Sequence, residues 1–477
     1  MSRETPNLVD REATGGAHAK AGFAYQSGFA TAKIPAWLRQ DGFSELLCEG
    51  AGDVEAKTFV PGSGLVRDFY ECKNHDVSAP EFFDELDRFA RLDAHDATIY
   101  SSFTLVCTGF HRQLDPLRNA AMKVKGAARF YDGSCAIVRS SLREIESRIE
   151  ELRKDAALAR LLVDKVSLIQ HPSSDATRSF NDFRPEIETT YSALRGAATP
   201  TLRTIYNALS ALLDEYRSRV LPRSVIEDVI TSAAGLNVTK EQVVRIFTAA
   251  NPAFDPTASA PISFAWHDFS GEMRSGQREY PPSAAWDNTI VGELSRTRDW
   301  IASANRPRHL VLEGQRRISA GVAIGAVFSA TQGFNITMSM RGHMLRTDDH
   351  ADMPYTWIVS HMSTDRPCSD LAVSIGIGQD PSTEVRNFLN DRMPVVAFVG
   401  GSALTSAKDV NAAVWAAKQK ILKCVSELGS TRIHLFLAVP AQFAIFLGHR
   451  LNACGLIQCY EHTATNQYAP TCLLQLA

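Results

Sequence analysis

Residues 52–74 read GDVEAKTFVPGSGLVRDFYECKN, and twice in this stretch an acid stands two positions before a lysine, at Glu55-x-Lys57 and Glu71-x-Lys73. With 53 acids and 13 lysines in 477 residues, random placement yields about 1.4 such triplets, so position rather than number must decide. The run Pro61-Gly62-Ser63-Gly64 has turn composition and divides the stretch into two strands. Side chains alternate across a strand, so Glu71 and Lys73 share one face while Tyr70 and Cys72 share the other. Asp53, on the opposite arm of the hairpin, can face that pair. Glu55 is placed differently: its acid companion, Asp53, is on its own strand, and only Glu49 precedes it from another. Glu71 with Lys73 is therefore the stronger candidate. The same charges also fit a solvated hairpin face, where such pairs contribute less than about 1 kcal/mol.

The surroundings extend the pattern. Upstream, HAKAGFAYQSGFATAKIPAWLRQDG carries Ala21, Phe23, Tyr25, Phe29, Ile34, Trp37 and Leu38 at helical spacing and stops at Gly42. FSELLCE then reads as a strand before the hairpin. Downstream, SAPEFFDELDRFARLD reads as a helix with Ser78 as its cap, Pro80 in its first turn, and Phe82, Phe83, Leu86 and Phe89 inward. SFTLVCTGF follows as a buried strand. The order is helix, three strands, helix, strand.

Residues 141–283 read as a helical region and linker. SLREIESRIEELRKDAALARLLVDKV and TLRTIYNALSALLDEYRSRVL have helical periodicity, and the Pro- and Gly-bearing run at 251–282 is the expected linker. Residues 284–477 return to α/β texture in two rounds. The strands HLVLEG, FNITMSMRG and DLAVSIGIGQD precede Pro394, and VVAFVGG, RIHLFLAVP and LIQCYEH follow it, with helices between. Two such alternations imply two Rossmann-like units side by side.

Composition narrows the class. Hydrophobic residues make up 45% and charged residues 22%, as in a soluble globular protein. The opening MSRETPNLVDREATGG has no apolar core, so no secretory signal is expected. HLFLAVPAQFAIFLG is broken by Pro440 and Gln442 and is too short to span a bilayer, so no membrane association is expected. Nine cysteines without a CxxC pair point to free thiols in a reducing cytoplasm. A net charge of −3 announces no global field for nucleic acid, although a local groove can still be basic.

Metal-dependent nucleases of the restriction-endonuclease type need an Asp on one strand and an acid-x-Lys on the next. Two carboxylates hold a divalent cation, and the lysine orients or deprotonates the attacking water. In this sequence GGAHAKAGFAYQSGFA, LLCEGAGDVEA, FYECKN and an aromatic helix follow one another. That order resembles the nuclease domain of CD-NTase-associated (CBASS) antiphage effectors, in which a Gly-x-x-Tyr-Gln helix precedes an Asp…Glu-x-Lys core. The resemblance implies a restriction-endonuclease-like PD-(D/E)xK fold over 1–140. By that resemblance Asp53, Glu71 and the Cys72 carbonyl are expected to bind Mg²⁺ or another divalent cation, Lys73 to act on water, and Gln26 to support the site. Arg112, Arg118, Lys123, Lys125 and Arg129 crowd one segment and are expected either to contact the DNA backbone or to form a basic helix face.

The C-terminal half lacks a nucleophile elbow, a Walker loop and a full GxGxxG. HLVLEGQRRISAGVAIG, LAVSIGIGQD, IHLFLAVPAQFAIFLGHRLN and IQCYE instead resemble the SAVED domain, a fusion of two CARF-like Rossmann units that senses cyclic oligonucleotides. The loops at the carboxyl ends of its strands then become the ligand site. Gly314, Gly401 and Ser402 would cradle phosphates, and Arg316, Arg341 and Lys408 would supply charge. Gln315 and Gln379 would read base or ribose edges, and Trp357 would stack a base.

The resemblance thus implies an α/β multidomain effector in which a cyclic oligonucleotide, expected to be a trinucleotide, drives homo-oligomerisation and metal-dependent cleavage of double-stranded DNA. Two other readings stay open: a constitutive restriction-type nuclease whose C-terminal half docks partners, and a catalytically inactive nucleotide-sensing regulator.

Overall fold

In the computed structural model the stretch 52–74 is a hairpin within a six-stranded sheet. β1 (Phe43–Cys48), β2 (Val54–Val60) and β3 (Gly64–Val77) form an antiparallel meander, with Val54 opposite Tyr70 and Lys57 opposite Arg67. β4 (Tyr100–Phe110) runs parallel to β3, and β5 (Val166–Gln170) runs parallel to β4. β6 (Val220–Pro222) pairs with β1, giving the order β5-β4-β3-β2-β1-β6. The structure describes residues 16–128, 130–131, 135–152, 154–171, 176–235, 243–250, 261–274, 276–340, 342–349, 354–362, 368–390, 392–401 and 403–476.

Alternation along β3 sorts the two cores. Tyr70 and Cys72 pack with Phe29 and Trp37 of the helix Gly16–Arg39, and with Phe183 and Leu209 from the helices Ala176–Thr190 and Thr199–Glu215. Phe69, one position away, packs with Phe83 and Phe89 of the helix Ala79–His95 and with Phe103 of β4. That second helix starts as its sequence dictates: the Ser78 hydroxyl accepts the Glu81 N–H (3.4 Å), Pro80 occupies the first turn, and Phe82, Phe83, Leu86 and Phe89 are buried.

The boundaries expected at 140 and 283 do not hold. The chain divides into two units, Met1–Lys240 and Glu241–Ala477. The region 141–283 is not a separate helical domain, because β5 and β6 complete the first sheet while β7 (Val244–Ala249) and β8 (Ile262–Ala265) belong to the second unit. Long-range pairing, not a local pattern, places these strands.

In the second unit, β9 (Glu272–Arg274) and β10 (Gln277–Glu279) form a small hairpin. β7 and β8 join β11 (His309–Gln315), β12 (Asn335–Met340) and β13 (His343–Arg346) in a sheet ordered β13-β12-β11-β7-β8, parallel except for β13. β14 (Trp357–Met362), β15 (Asp370–Ile377), β16 (Val395–Gly400), β17 (Arg432–Ala438), β18 (Gly455–Ala464) and β19 (Gln467–Leu476) form the other, ordered β14-β16-β15-β17-β18-β19. Its four inner strands are parallel and its edges antiparallel.

The helix Ile318–Val327 follows β11 and packs against Ala441–Arg450, which follows β17. Glycines allow the approach: a Cβ on Gly325 would lie 2.0 Å from the Ile445 carbonyl oxygen, and one on Gly448 would lie 2.1 Å from that of Val322. All nine cysteines are free thiols. Among the described residues no helix is long and apolar enough to cross a membrane.

Candidate functional site

Asp53 and Glu71 are each only 3% exposed. Asp53 stands at the entrance to β2, where its N–H donates to the Tyr70 carbonyl (3.1 Å) and its Oδ2 accepts the Cys72 N–H (2.7 Å). Glu71, on β3, points toward the helix Ala79–His95. Its Oε1 lies 3.3 Å from Lys73 Nζ and its Oε2 lies 2.9 Å from Arg88 Nη1. Lys73 Nζ is also 2.7 Å from Glu85 Oε1, and Arg88 Nη1 is 3.3 Å from Glu85 Oε2. Arg88 additionally donates to the Ala51 carbonyl, tying the helix to the loop before Asp53.

The electrostatics follow from this crowding. Burial, reinforced by the Asp53 and Glu85 carboxylates, pushes Glu71 up from 4.5 to about 7, against the opposing pull of Arg88 and Lys73. Burial alone would lower the Lys73 ammonium, but Glu71 and Glu85 outweigh it and hold the pKa above its ordinary value. The result is a buried network of acids and bases on one strand and one facing helix. The carboxylates of Asp53 and Glu71 are hard oxygen donors of the kind Mg²⁺ takes. Among the described residues no group of three or more His, Cys, Asp and Glu side chains is arranged to hold a metal ion.

Glu85 and Arg88 did not emerge from the sequence. A signal was present, since Glu85 stands three residues after Phe82 and four before Phe89, on the apolar face of its helix.

The other triplet is built differently. Glu55 is equally buried, but its Oε1 accepts the N–H groups of Ala51 (2.9 Å) and Gly52 (3.3 Å) and its Oε2 meets Arg67 at 3.2 Å. It therefore braces the loop that delivers Asp53. Lys57 pairs with Glu45 of β1. Gln26 lies beside Asp53 and Glu49 in a small hollow also lined by Arg217. Cys72 stays in the sheet, opposite Val106 of β4.

The basic segment is not one open face. Lys125 is committed to the Val166 carbonyl (2.9 Å) and Ser167 Oγ (3.1 Å), which fastens the helix Asp115–Ala128 to β5. Arg118 pairs with Asp115 and stacks on Phe110. Arg112 and Lys123 are exposed. Arg129, Arg341 and Ser402 lie outside the described residues.

In the second unit a cleft of about 750 Å³ opens at the carboxyl end of β11. Gly314, Gln315 and Arg316 line it, joined by Arg317, Ser339 and Gln442. Gly314 has φ +82°, and a Cβ there would fall 2.2 Å from the Thr248 carbonyl oxygen, so no side chain fits. Arg316 Nη2 donates to the carbonyls of Glu313 (2.9 Å) and Gly314 (2.6 Å), and burial lowers its guanidinium to about 10.

Gln379, Gly401 and Lys408 are exposed beyond β15 and β16 and do not line this cleft. Trp357 corrects the expectation of base stacking. It is 4% exposed, its Nε1–H donates to the Ala413 carbonyl (2.9 Å), and its ring meets Phe443 edge-on, so it presents no face to a ligand.

Comparison with known proteins adds an independent view. Residues 294–474 match the SAVED family, the SMODS-associated and fused to various effectors sensor domain. The chain is 26% identical to CD-NTase-associated protein 4 of Moraxella osloensis, over 98% of this chain and 99% of that protein. It is 27% identical to CD-NTase-associated protein 4 of an Acinetobacter species, over 98% and 99% respectively. The Acinetobacter baumannii Cap4 SAVED/CARF-domain containing receptor, solved with the cyclic trinucleotide 2'3'3'-cAAA, superposes with a TM-score of 0.80. That structure is 25% identical and covers 97% of this chain and 100% of its own.

Proposed function

We propose that this chain, similar along its length to CD-NTase-associated protein 4 and matching the SAVED sensor domain over 294–474, is a CBASS antiphage effector, a DNA endonuclease switched on by a cyclic trinucleotide. The observation that carries the catalytic half is the burial of Asp53, bonded to the Cys72 N–H, and of Glu71, near enough for the Asp53 charge to act on it, with Lys73 3.3 Å from Glu71. An antiparallel hairpin followed by parallel strands, with helices on both faces, is the setting a restriction-endonuclease-like domain gives those residues.

The residues fit a divalent cation on electrostatic grounds. Burial, with the Asp53 and Glu85 carboxylates adding to it, brings Glu71 to about 7, and a cation beside these groups would favour their ionised forms. Asp53, Glu71 and the Cys72 carbonyl would hold it. Mg²⁺ there supplies Lewis-acid polarisation of the scissile phosphate and a more acidic bound water. Lys73 would orient the attacking water and offset charge developing on the phosphate. Glu85 holds the Lys73 ammonium in place, Arg88 favours the ionised form of Glu71, and Gln26 supports Asp53 from the hollow. Arg112, Arg118 and Lys123 remain for the DNA backbone.

In the sensor unit, the cleft at Gly314–Arg317 is within the usual size of a small-molecule site, roughly 300–1,000 Å³. Likeness to a receptor that holds 2'3'3'-cAAA favours a cyclic trinucleotide as occupant. Arg316 and Arg317 would meet phosphates, and Gln315 and Gln442 would meet base or ribose edges. Cutting both strands of a duplex needs two centres, so ligand-driven self-association in the cytoplasm is the simplest coupling.

Lys73→Ala tests the assignment. Mg²⁺-dependent plasmid cleavage should fall by about 10²- to 10⁴-fold, while calorimetric affinity for 2'3'3'-cAAA stays that of the wild type. Wild-type cleavage by Lys73→Ala would remove the centre, and failure of every cyclic trinucleotide to bind would remove the sensor.

A further inference from the structure

The hollow beside Asp53 has a cation outside both the Glu71 network and the basic segment after β4. Arg217 follows the helix Thr199–Glu215 in sequence, far from the hairpin, yet lines this hollow together with Gln26, Glu49 and Asp53. Its guanidinium stacks over the Phe23 ring at 4.4 Å and bonds Asp214 Oδ1 at 2.9 Å. The Arg217 side chain is 42% exposed and that of Asp214 is 56% exposed.

The backbone on both sides of the hollow is held in an unusual state. Among the described residues six non-glycines adopt positive φ, and three of them are asparagines, which tolerate it. Of the others, Glu49 (φ 60°) lines this hollow and Ser218 (φ 58°) directly follows Arg217, which also lines it. The Ser218 N–H donates to the Cys48 carbonyl (2.9 Å), and the Glu49 N–H donates to the Asp53 carbonyl (3.0 Å). Left-handed backbone at ordinary residues is sterically costly and persists where surrounding contacts impose it, often at working sites. Here it pins the segment carrying Arg217 against the end of β1.

The Asp53 and Glu71 carboxylates repel a phosphodiester, and Lys73 and Arg88 are both engaged with Glu71 and Glu85. The solvent-exposed pair of Arg217 with Asp214 is weak and readily exchanged for a phosphate, which a guanidinium grips through two parallel hydrogen bonds. We propose that Arg217 binds a DNA backbone phosphate next to the one that is cut, making the hollow the substrate-facing side of the centre. This rests on the nuclease reading above and names a residue that reading does not contain.

The test is equilibrium binding of a fluorescent DNA duplex to the full-length Lys73→Ala protein, followed by anisotropy over a series of salt concentrations with 2'3'3'-cAAA present. Adding Arg217→Ala should weaken binding about tenfold and reduce the slope of log affinity against log salt by about 0.9, the value of one phosphate contact. Arg217→Lys, which keeps the charge, should restore most of that slope, whereas a fold defect would not be rescued in this way. Unchanged affinity and slope in Arg217→Ala overturn the proposal, as does equal weakening in Arg217→Ala and Arg217→Lys together with a lowered melting temperature. The two readings fail separately: DNA cutting by Lys73→Ala removes the centre, whereas an unaltered salt slope removes only the role of Arg217.

Discussion

Single side chains in this protein are held in charge states that water would not give them. Glu71 shares a buried space with Asp53 and Glu85 and is kept partly ionised by Arg88 and Lys73. His449 is the counterpart in the second unit. It is 2% exposed, its Nε2–H donates to the Phe334 carbonyl (2.9 Å), and its Nδ1 has no partner among the described residues. Burial lowers it from 6.5 to about 4, with Arg450 acting in the same direction and Asp348 against it.

A base depressed in the folded state is neutral there, so its contribution to stability is complete above pH 6.5 and is lost as pH falls toward about 4. The loss amounts to about 3 kcal/mol at most. Urea unfolding of the full chain between pH 7 and pH 4.5 should therefore show a steeper loss in wild type than in His449→Asn, and equal slopes would contradict this. At this scale the sequence made Asp53, Glu71 and Lys73 visible because strand alternation is a local rule. Arg88 and Arg217 stayed hidden because their partners are set by packing. Trp357 was misplaced for a related reason: its indole N–H is satisfied by a backbone carbonyl distant in sequence.

At the scale of elements, two helices pack closely in the second unit. Ile318–Val327 and Ala441–Arg450 meet through Gly325 and Gly448, and each helix begins beside residues of the cleft, Arg317 for one and Gln442 for the other. Gly448→Ala places a methyl 2.1 Å from the Val322 carbonyl oxygen and forces the helices apart. We expect a destabilisation of about 1–3 kcal/mol, accompanied by weaker binding of 2'3'3'-cAAA in calorimetry. An unchanged melting temperature with unchanged affinity would contradict this. A helix after HLVLEG was expected, but its close approach to Ala441–Arg450 was not, because the partner glycine lies more than a hundred residues away. The edge strands β13, β14 and β19 were not anticipated, since edges carry a weaker hydrophobic signal than the buried strands beside them.

At the scale of the whole chain, the two units were legible in kind but not in extent. The boundary falls at Lys240/Glu241 because β5 and β6 return to pair with β4 and β1, more than fifty residues after the hairpin region ends. Such pairings leave no mark in a local window. In the proposed function a ligand bound in the second unit turns on the centre in the first. The most direct measurement is the initial rate of plasmid cleavage by the full chain in Mg²⁺, with and without 2'3'3'-cAAA, over a range of protein concentrations. The account predicts negligible cutting without the cyclic trinucleotide, and with it a rate that rises more steeply than in proportion to protein concentration. Equal cutting with and without the ligand would contradict it.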